Sequence, residues 1–294
     1  MRQASLVTMS GVVLKARERL LPLVRLTLGP PLRRTRRGLA WHSPRVDLRV
    51  DRRGSEGFTH IVATHSSPLF RPLPRADLGL QQNKVVNLRI AAARLDGLVL
   101  NPGVRLSFWH EVGKPSRRRG FVEGMVLDHG RITAGLGGGL CQMTNLLYWM
   151  TLHTPLTVVE RWRHSYDVFP DTGRTQPFGS GATCAWPVLD LQIENRTSLP
   201  YRLSVMVDDA HLTGSWATTE PHLSRYEIEE RRHRITHDGP GLYVRHNELW
   251  RLTFDGDGSL WSEELVARND ALMMYAPFLP PAAWPEAKRL CGGA

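Results

Sequence analysis

Along residues 83–97 (NKVVNLRIAAARLDG) apolar side chains recur at Val86, Ile90, Ala93 and Leu95 among polar ones, and Gly97 follows as a natural stop. That spacing predicts an amphipathic helix. The period then shortens. Leu98-Val99-Leu100 and Leu106-Ser107-Phe108-Trp109 predict strands on either side of Asn101-Pro102-Gly103, a strong turn signal. Gly113, Gly120, Gly124 and Gly130 punctuate short apolar pieces such as Met125-Val126-Leu127, so short strands and loops are expected there. A glycine run, Gly135-Leu136-Gly137-Gly138-Gly139, then leads into Cys141, and Met143, Leu146, Leu147 and Met150 form the i, i+3, i+4, i+7 stripe of a buried helix face, closed by Pro155. Residues 156–166, 182–194 and 201–207 read as strands, with a turn at Asn195-Arg196-Thr197-Ser198 between the last two. A β-rich stretch around 242–254 and a Pro-rich tail follow. Helices early and strands late place the chain in the α+β class, an antiparallel sheet packed with a few helices. Three segments are expected: a basic extension at 1–57, a central domain at 58–216 and a β-rich extension at 217–294 packed on it.

Composition narrows the function classes. Hydrophobic residues make up 41% and charged residues 22%, with nine tryptophans, which excludes a disordered or fibrous chain. No uninterrupted apolar run reaches the ~18–20 residues of a spanning helix, and three cysteines (Cys141, Cys184, Cys291) are too few for a disulfide framework. Nearly all of the net charge of +10 sits at one end: residues 1–60 carry 13 Lys/Arg against 4 Asp/Glu. The remainder is close to balance, so no specific nucleic-acid partner is implied for the body. Within residues 5–29 apolar and basic positions alternate on helical spacing, which suits either a mobile basic tail or an amphipathic helix on an anionic membrane surface. Pro30-Pro31 is expected to end it, and Arg33-Arg34-Thr35-Arg36-Arg37 adds charge. The longest apolar piece there, Gly11 to Leu14, is broken by Lys15 and no small-residue cleavage site follows, so no signal peptide is read. The expectation is a cytoplasmic chain, peripheral at the membrane through residues 1–40.

The candidate chemistry centres on Gly137-Gly138-Gly139-Leu140-Cys141-Gln142. Three consecutive glycines cost conformational entropy, so the backbone there adopts unusual dihedrals or comes close to something. Cys141 falls in the first turn of the predicted helix, where the positive end of the dipole favours thiolate. Gln142 and the glycine N–H groups are candidates to stabilise an oxyanion. A nucleophile needs a base. His153, twelve residues along the helix and thus ~18 Å away, cannot serve. His164 on the following strand can, sharing one face with Glu160, Trp162 and Tyr166 by period two. Asp190, on the next strand, is the first choice to orient His164, and Asp167 the second. That order is analogous to papain-like and transglutaminase-like enzymes. The competing readings are a cysteine that merely fills a structural glycine turn, and a non-catalytic binding module. In the latter, Gly137, Gly138, Gly139, Arg161, Arg163 and Arg174 hold an anionic ligand between Trp162 and Tyr166. Neither C-x-x-C nor H-x-x-x-H spacing occurs, so no metal or other cofactor is expected. Cys184 reads as core and Cys291 as an inert thiol.

At these residues the chain resembles the VanW family. The resemblance runs through Asn83-Lys84, Asn101-Pro102-Gly103, Ser107-Phe108-Trp109, Val112-Gly113, Gly137 to Gln142, Leu152-His153-Thr154-Pro155 and Glu160-Arg161. It continues through Arg163-His164-Ser165-Tyr166-Asp167, Arg174, Pro177-Phe178-Gly179-Ser180-Gly181-Ala182-Thr183 and Asp190-Leu191, covering roughly 58–216. The family takes its name from an accessory protein of vancomycin-resistance clusters. The resemblance therefore implies a cell-envelope or peptidoglycan context, with an envelope-related small molecule or peptide as partner. It does not supply a reaction.

Overall fold

A computed structural model describes residues 29–52, 54, 56–70, 78–128, 130–168, 176–275 and 277. Its contacts divide the chain into two units, Met1–Val46 and Asp47–Ala294. In the first, α1 (Gly29–Trp41) is a helix whose first turn contains Pro30 and Pro31. A proline at the start of a helix sacrifices an N–H that would have no intrahelical acceptor anyway. The two prolines therefore open a helix, where the sequence reading has them end one. The expected amphipathic segment before Gly29 lies outside the described residues.

The second unit runs β1 (Asp51–Arg52), β2 (His60–Pro68), α2 (Leu78–Leu95), β3 (Leu98–Leu100), β4 (Arg105–Ser107), α3 (Phe108–Val112), β5 (Glu123–Asp128), β6 (Arg131–Leu136) and α4 (Cys141–Leu152). It continues with β7 (Thr157–Glu160), β8 (Tyr166–Asp167), β9 (Gln192–Glu194), β10 (Tyr201–Val207), β11 (His211–Thr218), β12 (Arg225–Gly239), β13 (Leu242–Phe254) and β14 (Leu260–Met273). The strands form a five-stranded sheet in the order β1-β3-β10-β11-β2, a four-stranded sheet β12-β13-β14-β8, a three-stranded sheet β4-β9-β7 and the β5–β6 hairpin. All pairings are antiparallel except β14 with β8. The class is α+β, as expected. Among the described residues no helix is long and apolar enough to cross a membrane.

The core lies where α2 and α4 pack on the sheet, α2 against β10 and the β5 strand, α4 against β11 and β2. The stripe on α4 is buried as its spacing requires, with Met143, Leu146, Leu147 and Met150 at most 1% exposed. On α2 the period is right but the phase is not. Val86 and Ala93 face outward, whereas Val85, Leu88, Ala92 and Leu95 are buried. Polar side chains on the same inward face escape simple counting because each has a partner. Lys84 reaches the Leu69 carbonyl with its ammonium and Asn87 bonds three backbone groups.

Three expected strands are shorter than the pattern suggested. The one at Leu106 stops at Ser107, whose hydroxyl caps α3 by accepting from the His110 N–H (3.2 Å). The strand from 156 stops at Glu160, because Arg161 turns inward to bond the Gly179 and Gly181 carbonyls. The segment 182–194 keeps only β9 and isolated bridges at Thr183 and Ala185. Pro187 lies inside it and cannot donate to a ladder.

Candidate functional site

The start of α4 is set by the glycine turn. Gly137 and Gly139 have φ of 76° and 92°, which L side chains avoid. Gly138 is needed for a different reason: a Cβ on it would overlap the Gly124 carbonyl on β5, and one on Gly139 would overlap the stem of Lys84. Asn87 on α2 fastens this contact. Its amide donates to Gly138 O (2.9 Å) and Val122 O (3.0 Å), and its carbonyl accepts from Val122 N (3.0 Å). The turn is therefore clamped from two sides, and it delivers Cys141 to the first position of a twelve-residue helix.

Four side chains converge on that position. The Cys141 sulfur is 3.4 Å from Thr183 Oγ1 and 3.9 Å from the Cys184 sulfur, and it is 3.7 Å from the Cys184 carbonyl. Thr183 Oγ1 is in turn 2.8 Å from His164 Nε2. The single bridge between Trp162 and Thr183 brings these segments together, with Thr183 N donating to Trp162 O (2.8 Å). Both cysteines are half-buried and His164 is exposed, so the array is open to solvent. Hydrogen bonding from Cys184, then from His164 and Thr183, overcomes burial and holds the Cys141 thiol well below an ordinary thiol. Burial and the neighbouring Cys141 push Cys184 well above it. Of the two, Cys141 is the thiol whose ionised form the surroundings favour, and Cys184 the one they keep protonated. At the first helical position the positive end of the dipole acts on Cys141 in the same direction.

The other residues singled out in the sequence divide sharply. Asp190 is fully buried and its carboxylate is engaged elsewhere: it accepts from Ser107 Oγ (2.6 Å), Trp109 N (3.0 Å) and Gln192 Nε2 (3.2 Å). It completes the cap of α3, which is why the Ser107-Phe108-Trp109 and Asp190-Leu191 motifs go together. Asp167 pairs with Arg245 (3.1 Å) and accepts from the Tyr275 hydroxyl (2.8 Å), within the sheet that carries Tyr166 on β8. Among the described residues no carboxylate hydrogen-bonds the His164 ring, so the oriented triad expected from sequence is replaced by a Cys141–Thr183–His164 array. Gln142 points away as well, its amide donating to Ser67 Oγ (2.7 Å) and Pro68 O (3.0 Å). Backbone bonds and the face of Tyr148 hold Arg161, while Arg163 donates to Asp270 O (2.5 Å). Neither guanidinium is presented as the anion clamp envisaged from sequence. Trp162 is 45% exposed near the array and donates to Glu160 (2.8 Å), as two residues on one face should. Arg174 and Cys291 lie outside the described residues. His153, as expected, is remote from Cys141: it caps the other end of α4.

Two site residues escaped the sequence reading. Cys184 reads as core because its apolar neighbours suggest a strand, and Thr183 figures only as part of the stretch that carries the resemblance, with no role of its own. Their signal was position, directly after the glycine-punctuated stretch 177–182 that belongs to the same resemblance. Among the described residues no cluster of three or more His, Cys, Asp or Glu is placed to hold a metal ion.

Fold and site together define an α+β protein with a cysteine at a glycine-clamped helix start, backed by a second cysteine, a threonine and a histidine. The chain belongs to the VanW-like family. The family model described as VanW like protein matches residues 83–217, the span from α2 to the end of β11 that builds the array. A relative, the vancomycin B-type resistance protein VanW of Enterococcus faecalis (strain ATCC 700802 / V583), is 34% identical over 223 residues, covering 76% of this chain and 81% of its own. The uncharacterized protein YoaR of Bacillus subtilis (strain 168) is 28% identical over 114 residues, 39% of this chain and 36% of that one. No solved structure matches the chain significantly.

Proposed function

We propose that the protein is a cysteine-dependent acyl transferase or amide hydrolase acting on an envelope-related peptide. The observation that supports this best is the placement of Cys141, a half-buried residue at a helix start whose sulfur meets Thr183, which in turn meets His164. In this reading the thiolate attacks the scissile carbonyl carbon. The Cys141 N–H, which has no intrahelical acceptor at the first position of α4, and the helix dipole bear the developing oxyanion. The C–N bond then breaks. His164, reached directly or through the Thr183 hydroxyl, gives its proton to the leaving amine. Water or an acceptor amine then attacks the thioester and gives up a proton to His164; the C–S bond breaks, and the acyl product, the thiolate and the protonated His164 are restored together. The name of the Enterococcus faecalis relative speaks of vancomycin resistance, and the peptidoglycan-related substrate class is this proposal's own step from it.

The test is to incubate the reduced full chain with muropeptides from a peptidoglycan digest and to look for an acyl adduct by intact mass. An adduct on Cys141 is expected, absent in Cys141→Ser and slow to form in His164→Ala. Iodoacetamide should also alkylate Cys141 near pH 6, with a midpoint that rises in Thr183→Val. A midpoint at the ordinary thiol value, with no adduct from any muropeptide, would refute the proposal.

A further inference from the structure

We propose that Cys141 and Cys184 form a redox-active dithiol, in which a hydroperoxide oxidises Cys141 and Cys184 closes the product into an intramolecular disulfide. The observation is the second sulfur, which makes and breaks no bond in acyl transfer. It lies 3.9 Å from the first, so closing to the ~2.05 Å of a disulfide asks for about 2 Å of movement. The two cysteines are well placed to supply it. Cys141 starts a packed helix and stays put, whereas Cys184 sits between single bridges at Thr183 and Ala185 rather than in a strand ladder. Both are half-buried, so a small oxidant reaches them. The division of labour also follows from their surroundings: the hydrogen bonds converge on Cys141, which attacks as thiolate, and Cys184 keeps its proton until the second step.

The chemistry balances with one peroxide. The Cys141 thiolate attacks one peroxide oxygen, the O–O bond breaks, and the departing oxygen takes up a proton as alcohol or water. Cys141 is then a sulfenic acid. The Cys184 sulfur attacks that sulfur, the S–O bond breaks, and hydroxide leaves with the Cys184 proton as a second water. Two thiols have been oxidised and one peroxide reduced. Oxidation also removes the Cys141 thiolate, so any acyl transfer stops until a thiol reductant reopens the bond. The dithiol does not depend on acyl transfer, and the two ideas can fail separately.

The full chain in a Cys291→Ser background is exposed to hydrogen peroxide, then mapped by mass spectrometry without reduction. The expected result is a linked Cys141–Cys184 peptide pair and an intact mass lower by two hydrogens, both reversed by dithiothreitol. In Cys184→Ser, dimedone should trap a sulfenic acid at Cys141, and sulfinic acid should accumulate several-fold faster than in the parent. Two free thiols after treatment, or sulfinic acid forming on Cys141 equally fast with and without Cys184, would overturn the dithiol. Neither result involves a muropeptide, so neither bears on the acyl adduct.

Discussion

Asn87→Ala is the substitution that most directly probes how the fold positions Cys141. Asn87 is fully buried and makes three hydrogen bonds to backbone, two of them to the strand entering β5 and one to the glycine turn. Truncation does not orphan all three groups equally. Val122 O retains the N–H of Gly137 (2.9 Å) as a donor. Val122 N and Gly138 O are left without a partner, and Gly138 is buried. At ~1–3 kcal/mol for each buried group left unsatisfied, allowing for the half-exposure of Val122, the loss comes to about 3 kcal/mol. For a unit of this size that corresponds to a fall in Tm of roughly 6–12 °C. Asn87→Asp keeps the acceptor for Val122 N but turns a carboxylate oxygen toward two carbonyls, so it should cost at least as much despite its matching shape. Both variants are measured by urea denaturation and thermal melting of the full chain. A loss below ~1 kcal/mol in Asn87→Ala would mean that the glycine turn holds itself, and the clamp argument would fall.

Two further outcomes follow from the same geometry. Asp190→Asn places an amide where a buried carboxylate accepts three donors, so it should cost about 2 kcal/mol in urea denaturation; a loss below ~0.5 kcal/mol would mean that the cap of α3 does not rest on that carboxylate. His65 and His153 flank the ring of Trp149, and burial lowers both pKa values, with the charge of His153 adding to the effect on His65. Their neutral forms are the folded forms, so their contribution is complete above the ordinary value of 6.5 and is lost as pH falls below it. His110 works in the opposite sense, since Glu111 raises it. The denaturation midpoint should therefore drop on acidification to about pH 5, and His65→Gln combined with His153→Gln should flatten that slope; an unchanged slope would disprove the assignment.

What could be read from the residues in order was whatever depends on local spacing. The stripe Met143-Leu146-Leu147-Met150 specifies one face of α4, and Gly137 to Gly139 announce a backbone outside the ordinary regions just ahead of Cys141. Asn195 to Ser198 mark a turn through the Asn195 side chain, which accepts from Thr197 N (2.9 Å). That His164 follows α4 closely in the chain could be read too, but Thr183, which stands between Cys141 and His164, could not. Local spacing is silent on partners brought together over long loops. The phase of α2 depended on which face the sheet would accept, and that face includes Lys84 and Asn87, polar residues whose buried bonds exist only in the assembled core. Asp190 looked like the acid of a triad, yet its carboxylate is used up by Ser107 and Trp109, more than eighty residues earlier. Cys184 looked like core filling because nothing along the chain says that residue 184 returns to the start of α4. The contact between the two sulfurs joins segments 43 residues apart in the chain, and only the folded chain puts them side by side.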